Sequence, residues 1–157
     1  MILSDKAIQQ ALDDDVIGLE PEYEEEQIQP ASFDVRLGGQ LYDVENDTYK
    51  SSMTLTLEPG KAYIGHTLDN IKLPTDIAAQ LTGRSSVGRR GVIIHKTAGW
   101  IDPGFCGQIT LELYNFSNTV QKFVVGDRIG QLVFFPLDQD SDGYDGQYQN
   151  QEGPTHA

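Results

Sequence analysis

Three arginines, Arg84, Arg89 and Arg90, crowd into the stretch GRSSVGRRG at 83–91, although the chain holds only 11 Lys plus Arg against 24 Asp plus Glu. Arginine forks bind phosphate through paired hydrogen bonds, and serine hydroxyls and main-chain N–H groups donate to anionic oxygens. Glycines let a backbone approach a ligand closely. The set suits a polyphosphate held on a flexible loop. It is not a Walker A loop, because the Gly-Lys-Ser/Thr ending is missing. The competing reading is a surface turn whose arginines pair with carboxylates, an interaction worth little.

Two carboxylates stand out beside this loop. In QITLELYNF (108–116), Ile109, Leu111 and Leu113 alternate with Thr110, Glu112 and Tyr114. A strand puts the first set on one face and the second on the other. The apolar set faces the core, so Glu112 faces solvent or a pocket, where a carboxylate can take and return a proton. Asp102 lies in GWIDPGFCG (99–107), at a strand end followed by a Pro-Gly turn. It either caps that turn or stands free beside it. Trp100 and Phe105 flank it, as core aromatics or as a wall for a sugar or base.

Other chemistries are excluded by what is missing. There is no Cys-x-x-Cys, His-x-Glu or HExxH, and His66, His95 and His156 lack ligand spacing, so no protein-built metal site is expected. Ser85 and Ser86 have no evident triad partners. Cys106 is the only cysteine and forms no internal disulfide.

The elements that must position these groups read mostly as strands. Ser4 can cap a short helix with Ile8, Ala11 and Leu12 at helical spacing. After an acidic loop to about Gln29, the stretches SFDVRLGGQLYDV, SMTLTLEPG, KAYIGHTLDNIKLP, GVIIHKTAGWI, QITLELYNF and QKFVVGDRIGQLVFFPL read as short strands parted by Gly, Pro, Asn and Asp. That pattern predicts an all-β sandwich or barrel over 1–137. The polar, Gly-rich 138–157 has no core pattern and is expected to be a mobile C-terminal arm. A net charge of −13 argues against nucleic acid and anionic membranes as partners. No apolar run reaches the roughly 18 residues of a membrane span, and MILSDKAIQQ is not a secretory leader, so a cytoplasmic location is expected.

Four segments in order, IQPASFDVRLG (28–38), GRSSVGRRG (83–91), HKTAGWIDPGFCGQITLELYN (95–115) and GDRIGQLVF (126–134), resemble the dCTP deaminase/dUTPase superfamily. The tail GYDGQYQNQEGPT (143–155) resembles that family's C-terminal closing segment. The resemblance implies a distorted jelly-roll or β-barrel fold, a homotrimer with active sites between subunits, and an arm that folds over the nucleotide. It implies that Arg84, Ser85, Ser86, Val87, Gly88 and Arg89 hold the triphosphate. Thr110, Leu111 and Glu112 would meet the pyrimidine, partly through the main chain. Phe105 would pack on the deoxyribose, and Gln131, Tyr144, Gln147 and Gln151 would complete the nucleotide contacts. Mg²⁺ would be bound mainly through the triphosphate rather than by protein ligands. Arg90 falls on no such position and is expected in a structural or intersubunit ion pair.

Within the family, Glu112 matches the deaminase glutamate and Asp102 the dUTPase base. TAGWIDPGF is closer to the bifunctional enzymes, which turn dCTP into dUMP. A plain dUTPase has no need of Glu112. The alternatives that remain are a dUTPase, a dCTP deaminase that releases dUTP, and a catalytically silent nucleotide-binding regulator. Two departures bear on the choice. Gln147 stands where the deaminases usually carry a phosphate-binding lysine, and the chain is short between about Val44 and Pro59, as in compact archaeal dUTPases.

Overall fold

The computed structural model describes residues 1–156. Helix α1 (Asp5–Asp13) begins where Ser4 Oγ accepts the Ala7 N–H at 3.4 Å, and its apolar face buries Ile8 and Leu12. Among the described residues, thirteen strands follow: β1 (Gly18–Glu20), β2 (Ile28–Gln29), β3 (Ser32–Arg36), β4 (Gln40–Asp43), β5 (Thr48–Ser51), β6 (Thr54–Leu57), β7 (Ala62–Lys72), β8 (Ile77–Gly83), β9 (Val92–Ile93), β10 (Trp100–Ile101), β11 (Cys106–Asn115), β12 (Gln121–Val124) and β13 (Arg128–Pro136). A one-turn helix, α2 (Ser85–Gly88), sits between β8 and β9.

One sheet runs β5-β4-β7-β11-β9 with β1 also on β7; the other runs β10-β8-β13-β3-β2, and β12 pairs with β6. The strand pairings are antiparallel throughout. Phe33, Leu81, Leu111, Leu132 and Phe134 lie in one core and are almost inaccessible to solvent. The architecture is the all-β, distorted jelly roll with a short N-terminal helix that the sequence predicts. None of its helices is long and apolar enough to cross a membrane.

Local details go beyond the sequence reading. IAAQLTG, absent from the strand-like stretches, forms β8, a central strand between β10 and β13 with Ile77, Ala78, Ala79 and Leu81 buried and Gln80 exposed. GVIIHKTAGWI holds two short strands, β9 and β10, as SFDVRLGGQLYDV holds β3 and β4 and QKFVVGDRIGQLVFFPL holds β12 and β13. GRSSVGRRG is not a loose loop: Gly88 N–H donates to Arg84 O at 3.0 Å and Arg89 N–H to Ser85 O at 2.9 Å, closing a helical turn.

Arg36 on β3 and Asp69 on β7 tie the two sheets together. Arg36 donates from Nε and NH2 to Asp69 Oδ1 at 3.0 and 2.7 Å, and from its main-chain N–H to Oδ2 at 2.6 Å. Both side chains are buried. Removing one partner of a buried pair strands the other charge, which typically costs about 3–5 kcal/mol. Asp69→Ala is therefore expected to lower the unfolding free energy by that amount in urea titration. A loss below about 1 kcal/mol would mean that the pair does not hold the sheets.

Candidate nucleotide site between a strand, a turn and the C-terminal arm

The site is organised by β11. Its burial alternates strictly, with Ile109, Leu111 and Leu113 inward and Thr110, Glu112 and Tyr114 less buried, as the sequence predicts. Against β7, Thr110 stands opposite His66 and Glu112 opposite Ile64, with a bulge between Gln108 and Thr110. A bulge leaves an amide out of the ladder and re-aims the side chains beside it. Thr67 Oγ1 accepts that amide, the Ile109 N–H, at 2.8 Å.

Thr110 and Glu112 open into a cleft of about 500 Å³, walled also by Ile64, Ala98, Trp100, Ile101, Asp102, Phe105 and Ile109 and by arm residues Tyr144, Tyr148, Gln151, Thr155 and His156. Glu112 Oε2 accepts the Lys96 N–H at 2.7 Å and the Thr97 N–H at 3.3 Å, while Oε1 accepts none among the described residues. The loop between β9 and β10 thus fixes one carboxylate oxygen and leaves the other to the cleft. Asp102 resolves differently from a self-capped turn. Its carbonyl, not its carboxylate, accepts the Phe105 N–H at 3.2 Å, and the exposed carboxylate has no hydrogen-bond partner among the described residues. Phe105 is buried at the cleft wall.

The polar tail is anchored. Tyr144 N–H donates to Pro103 O at 2.7 Å, Asn150 N–H to Cys106 O at 2.7 Å, and Gln108 N–H to Gln151 O at 2.9 Å. The Tyr144 ring lies 6.0 Å from Phe105, and Gln151 Oε1 accepts from Thr110 Oγ1 at 3.4 Å. His156 stacks on Tyr42 with ring centres 4.2 Å apart and planes 2° apart. Composition alone could not show this, because the arm docks mainly through main-chain and amide hydrogen bonds rather than apolar burial. Gln147 is exposed and is not among the cleft-lining residues. Tyr148, Thr155 and His156 are cleft residues that the sequence reading did not single out; the neighbouring assignments at Tyr144 and Gln151 were the available signal.

The arginine turn lies elsewhere. None of its residues lines the cleft; Trp100, which does, pairs with Gln80, and Arg84 is four residues further along β8 and its end, about 13 Å at the usual strand rise. Arg84 Nε donates to Asp34 Oδ2 at 2.9 Å and NH1 to Arg128 O at 2.7 Å. Burial pushes the Asp34 carboxyl up, and the Arg84 and Arg128 guanidiniums pull it back. Ser85, Ser86, Gly88 and Arg89 are exposed, and the Arg89 side chain has no ion pair among the described residues. Val87 is a core residue, as is Leu111, so only their main chains remain for a ligand. Gln131 adjoins this turn, accepting from Ser32 Oγ at 2.8 Å and donating to Gly83 O at 3.0 Å. Arg90 makes no ion pair with a carboxylate among the described residues. It lies 4.0 Å over the Phe123 ring and donates to Gln121 Oε1 and Lys122 O, which corrects the structural ion pair expected for it.

One chain therefore presents two separate groups of candidate residues. The cleft holds Asp102, Phe105, Thr110, Glu112, Tyr144 and Gln151 but is lined by no Lys or Arg. The turn holds Arg84 to Arg89 and Gln131. Residues 2–137 match the dCTP deaminase-like family model, and the chain belongs to that family. It is 39% identical over 179 residues to the dCTP deaminase, dUMP-forming, of Tropheryma whipplei (strain Twist), covering 99% of this chain and 91% of that protein. The structure of the 2′-deoxycytidine 5′-triphosphate deaminase of Agrobacterium tumefaciens matches at TM-score 0.74 and 26% identity, over 85% of this chain and 47% of that one, so this chain spans about half its length. The native dUTPase of EIAV shares the fold at TM-score 0.57 and 19% identity, over 85% of this chain and 98% of that one.

Proposed function

We propose that the protein hydrolyses dCTP to dUMP, deaminating C4 and releasing diphosphate, in the cytoplasm. The observation that carries this reading is the pair of carboxylates in one cleft with different surroundings. Glu112 is gripped at one oxygen and open at the other. Asp102 is exposed and unengaged. The relatives named as dUMP-forming dCTP deaminases support it over nearly the whole chain.

In the first half-reaction, Glu112 takes a proton from water as its oxygen attacks C4 of cytosine. It passes that proton to N3 and then carries the proton of the new C4 hydroxyl to the departing nitrogen, which leaves as ammonia while C4 becomes a carbonyl. Thr110 and the Leu111 main chain position the base, and Phe105 packs on the deoxyribose. In the second, Asp102 takes a proton from water attacking the α-phosphorus, and the bond to the β-phosphate oxygen breaks. The diphosphate leaves against positive charge.

That charge is proposed to come from Arg84 and Arg89 of a neighbouring subunit, with Ser85, Ser86 and the Val87–Gly88 main chain. A cleft without Lys or Arg cannot hold a triphosphate alone, and none of the residues of the arginine turn lines it. We infer a homotrimer with intersubunit sites. Mg²⁺ fits as an ion brought by the triphosphate: no group of three or more His, Cys, Asp or Glu among the described residues forms a protein cage, and Mg²⁺ keeps phosphate and water oxygens readily. When bound it would offset charge on the phosphate oxygens.

A dUTPase is the second reading, favoured by the unengaged Asp102 carboxylate on a fold shared with the EIAV dUTPase. Incubation with Mg²⁺ and either dCTP or dUTP separates the two. Ammonia from dCTP supports the leading reading; hydrolysis of dUTP with no ammonia from dCTP overturns it. Gln147 bears on phosphate affinity. Gln147→Lys would add an exposed charge near the phosphates and is expected to lower KM for the nucleotide about two- to fivefold. An unchanged KM would place position 147 outside the bound phosphate's reach.

A further inference from the structure

We propose that Gln149 is a positioning residue that clasps the C-terminal arm to the Asp102 turn of its own chain and thereby sets the cleft's affinity for nucleotide. The kinetic part of this inference rests on the nucleotide hydrolase reading above. Gln149 does not line the cleft. It is half-buried behind the wall, and its carboxamide is fully engaged. Nε2 donates to Gly104 O at 2.9 Å and to Tyr144 O at 3.1 Å, and Oε1 accepts the Cys106 N–H at 2.8 Å. Gly104 and Cys106 belong to the turn that leads from Asp102 into β11, and Tyr144 belongs to the arm. One side chain thus satisfies main-chain groups on both sides of the joint.

The backbone is shaped for the same contact. Gly104 has φ +81°, and a Cβ there would fall 2.9 Å from Gly143 Cα and from Tyr144 N. Gly107 has φ +147°, and a Cβ there would fall 3.0 Å from the main-chain N and O of Gln151. Arm and turn meet more closely than a side chain at either glycine would allow. The clasp holds Tyr144 against Phe105 and Gln151 against Thr110. A wall already ordered need not be ordered by the ligand, which favours affinity. Glu112 is held separately, by the Lys96 and Thr97 amides. Loss of the clasp therefore weakens binding without disturbing the proton-transferring carboxylate.

The test uses the full chain and two variants, Gln149→Leu and Gln149→Glu. Leucine keeps the bulk and removes all three hydrogen bonds. Glutamate keeps the acceptor for Cys106 but turns a carboxylate towards two carbonyl oxygens. Amide hydrogen exchange over 144–153 without ligand is expected to accelerate roughly tenfold in both variants, since polar groups lose their partners. With saturable nucleotide turnover, KM is expected to rise roughly tenfold while kcat stays within about twofold. Unchanged exchange and KM in both variants would overturn the proposal, because side-chain bulk alone would then suffice. So would a fall in kcat at unchanged KM. If the parent protein turned over neither dCTP nor dUTP, the proposed function would fall, and hydrogen exchange would still decide for or against the clasp.

Discussion

Glu112→Gln is expected to reduce ammonia release from dCTP by about 10²–10⁴-fold, the usual contribution of a placed acid/base group. The substitution is nearly isosteric. Its carbonyl oxygen can still accept the Lys96 and Thr97 N–H groups that now hold Glu112 Oε2, so the loop between β9 and β10 should keep its course. What disappears is the capacity to take a proton from water and pass it to the leaving nitrogen. Hydrolysis of dUTP should survive within about tenfold, because that step is assigned to Asp102. Ammonia released at the parent rate would remove Glu112 from the mechanism. Loss of dUTP hydrolysis in equal measure would show that it acts on both steps or holds the cleft together.

Asp102→Asn makes the complementary prediction. Diphosphate release should fall by about 10²–10⁴-fold while ammonia release continues, so dCTP is converted to dUTP that accumulates. The structural argument is the unengaged carboxylate. The turn is closed by the Asp102 carbonyl accepting from Phe105 N–H, not by the side chain. An asparagine should therefore leave the turn and the Phe105 wall in place. Formation of dUMP at the parent rate would refute the assignment. The two variants together ask whether one cleft runs two reactions on two carboxylates, which neither answers alone.

Much of the site was legible because strand physics writes itself into sequence. The alternation in QITLELYNF predicted which of Ile109, Thr110, Leu111 and Glu112 would face the core, and β11 follows it. Ser4 at the start of α1 was legible for a similar local reason, since a cap is a contact between near neighbours. Three features were not legible. IAAQLTG opens on three apolar residues that are all buried, so its alternation is confined to Ala79 to Thr82, too short a run to stand out. The partner of Arg84 is Asp34, a contact between distant segments that no spacing rule supplies. The arm was illegible as an ordered element because its anchors are main-chain groups and the amides of Gln149 and Gln151, which composition reads as polar linker. The proposed sharing of a site between subunits rests on resemblance and on a cleft lined by no Lys or Arg.

The most direct test of the account counts products from one sample. The parent protein is incubated with dCTP and Mg²⁺, and ammonia, diphosphate, dUTP and dUMP are followed through time. The account predicts that ammonia and diphosphate appear in equal amounts with dUMP, and that dUTP does not accumulate. Ammonia with accumulating dUTP and no diphosphate would contradict the role given to Asp102. The absence of ammonia would contradict the role given to Glu112 and, with it, the central claim.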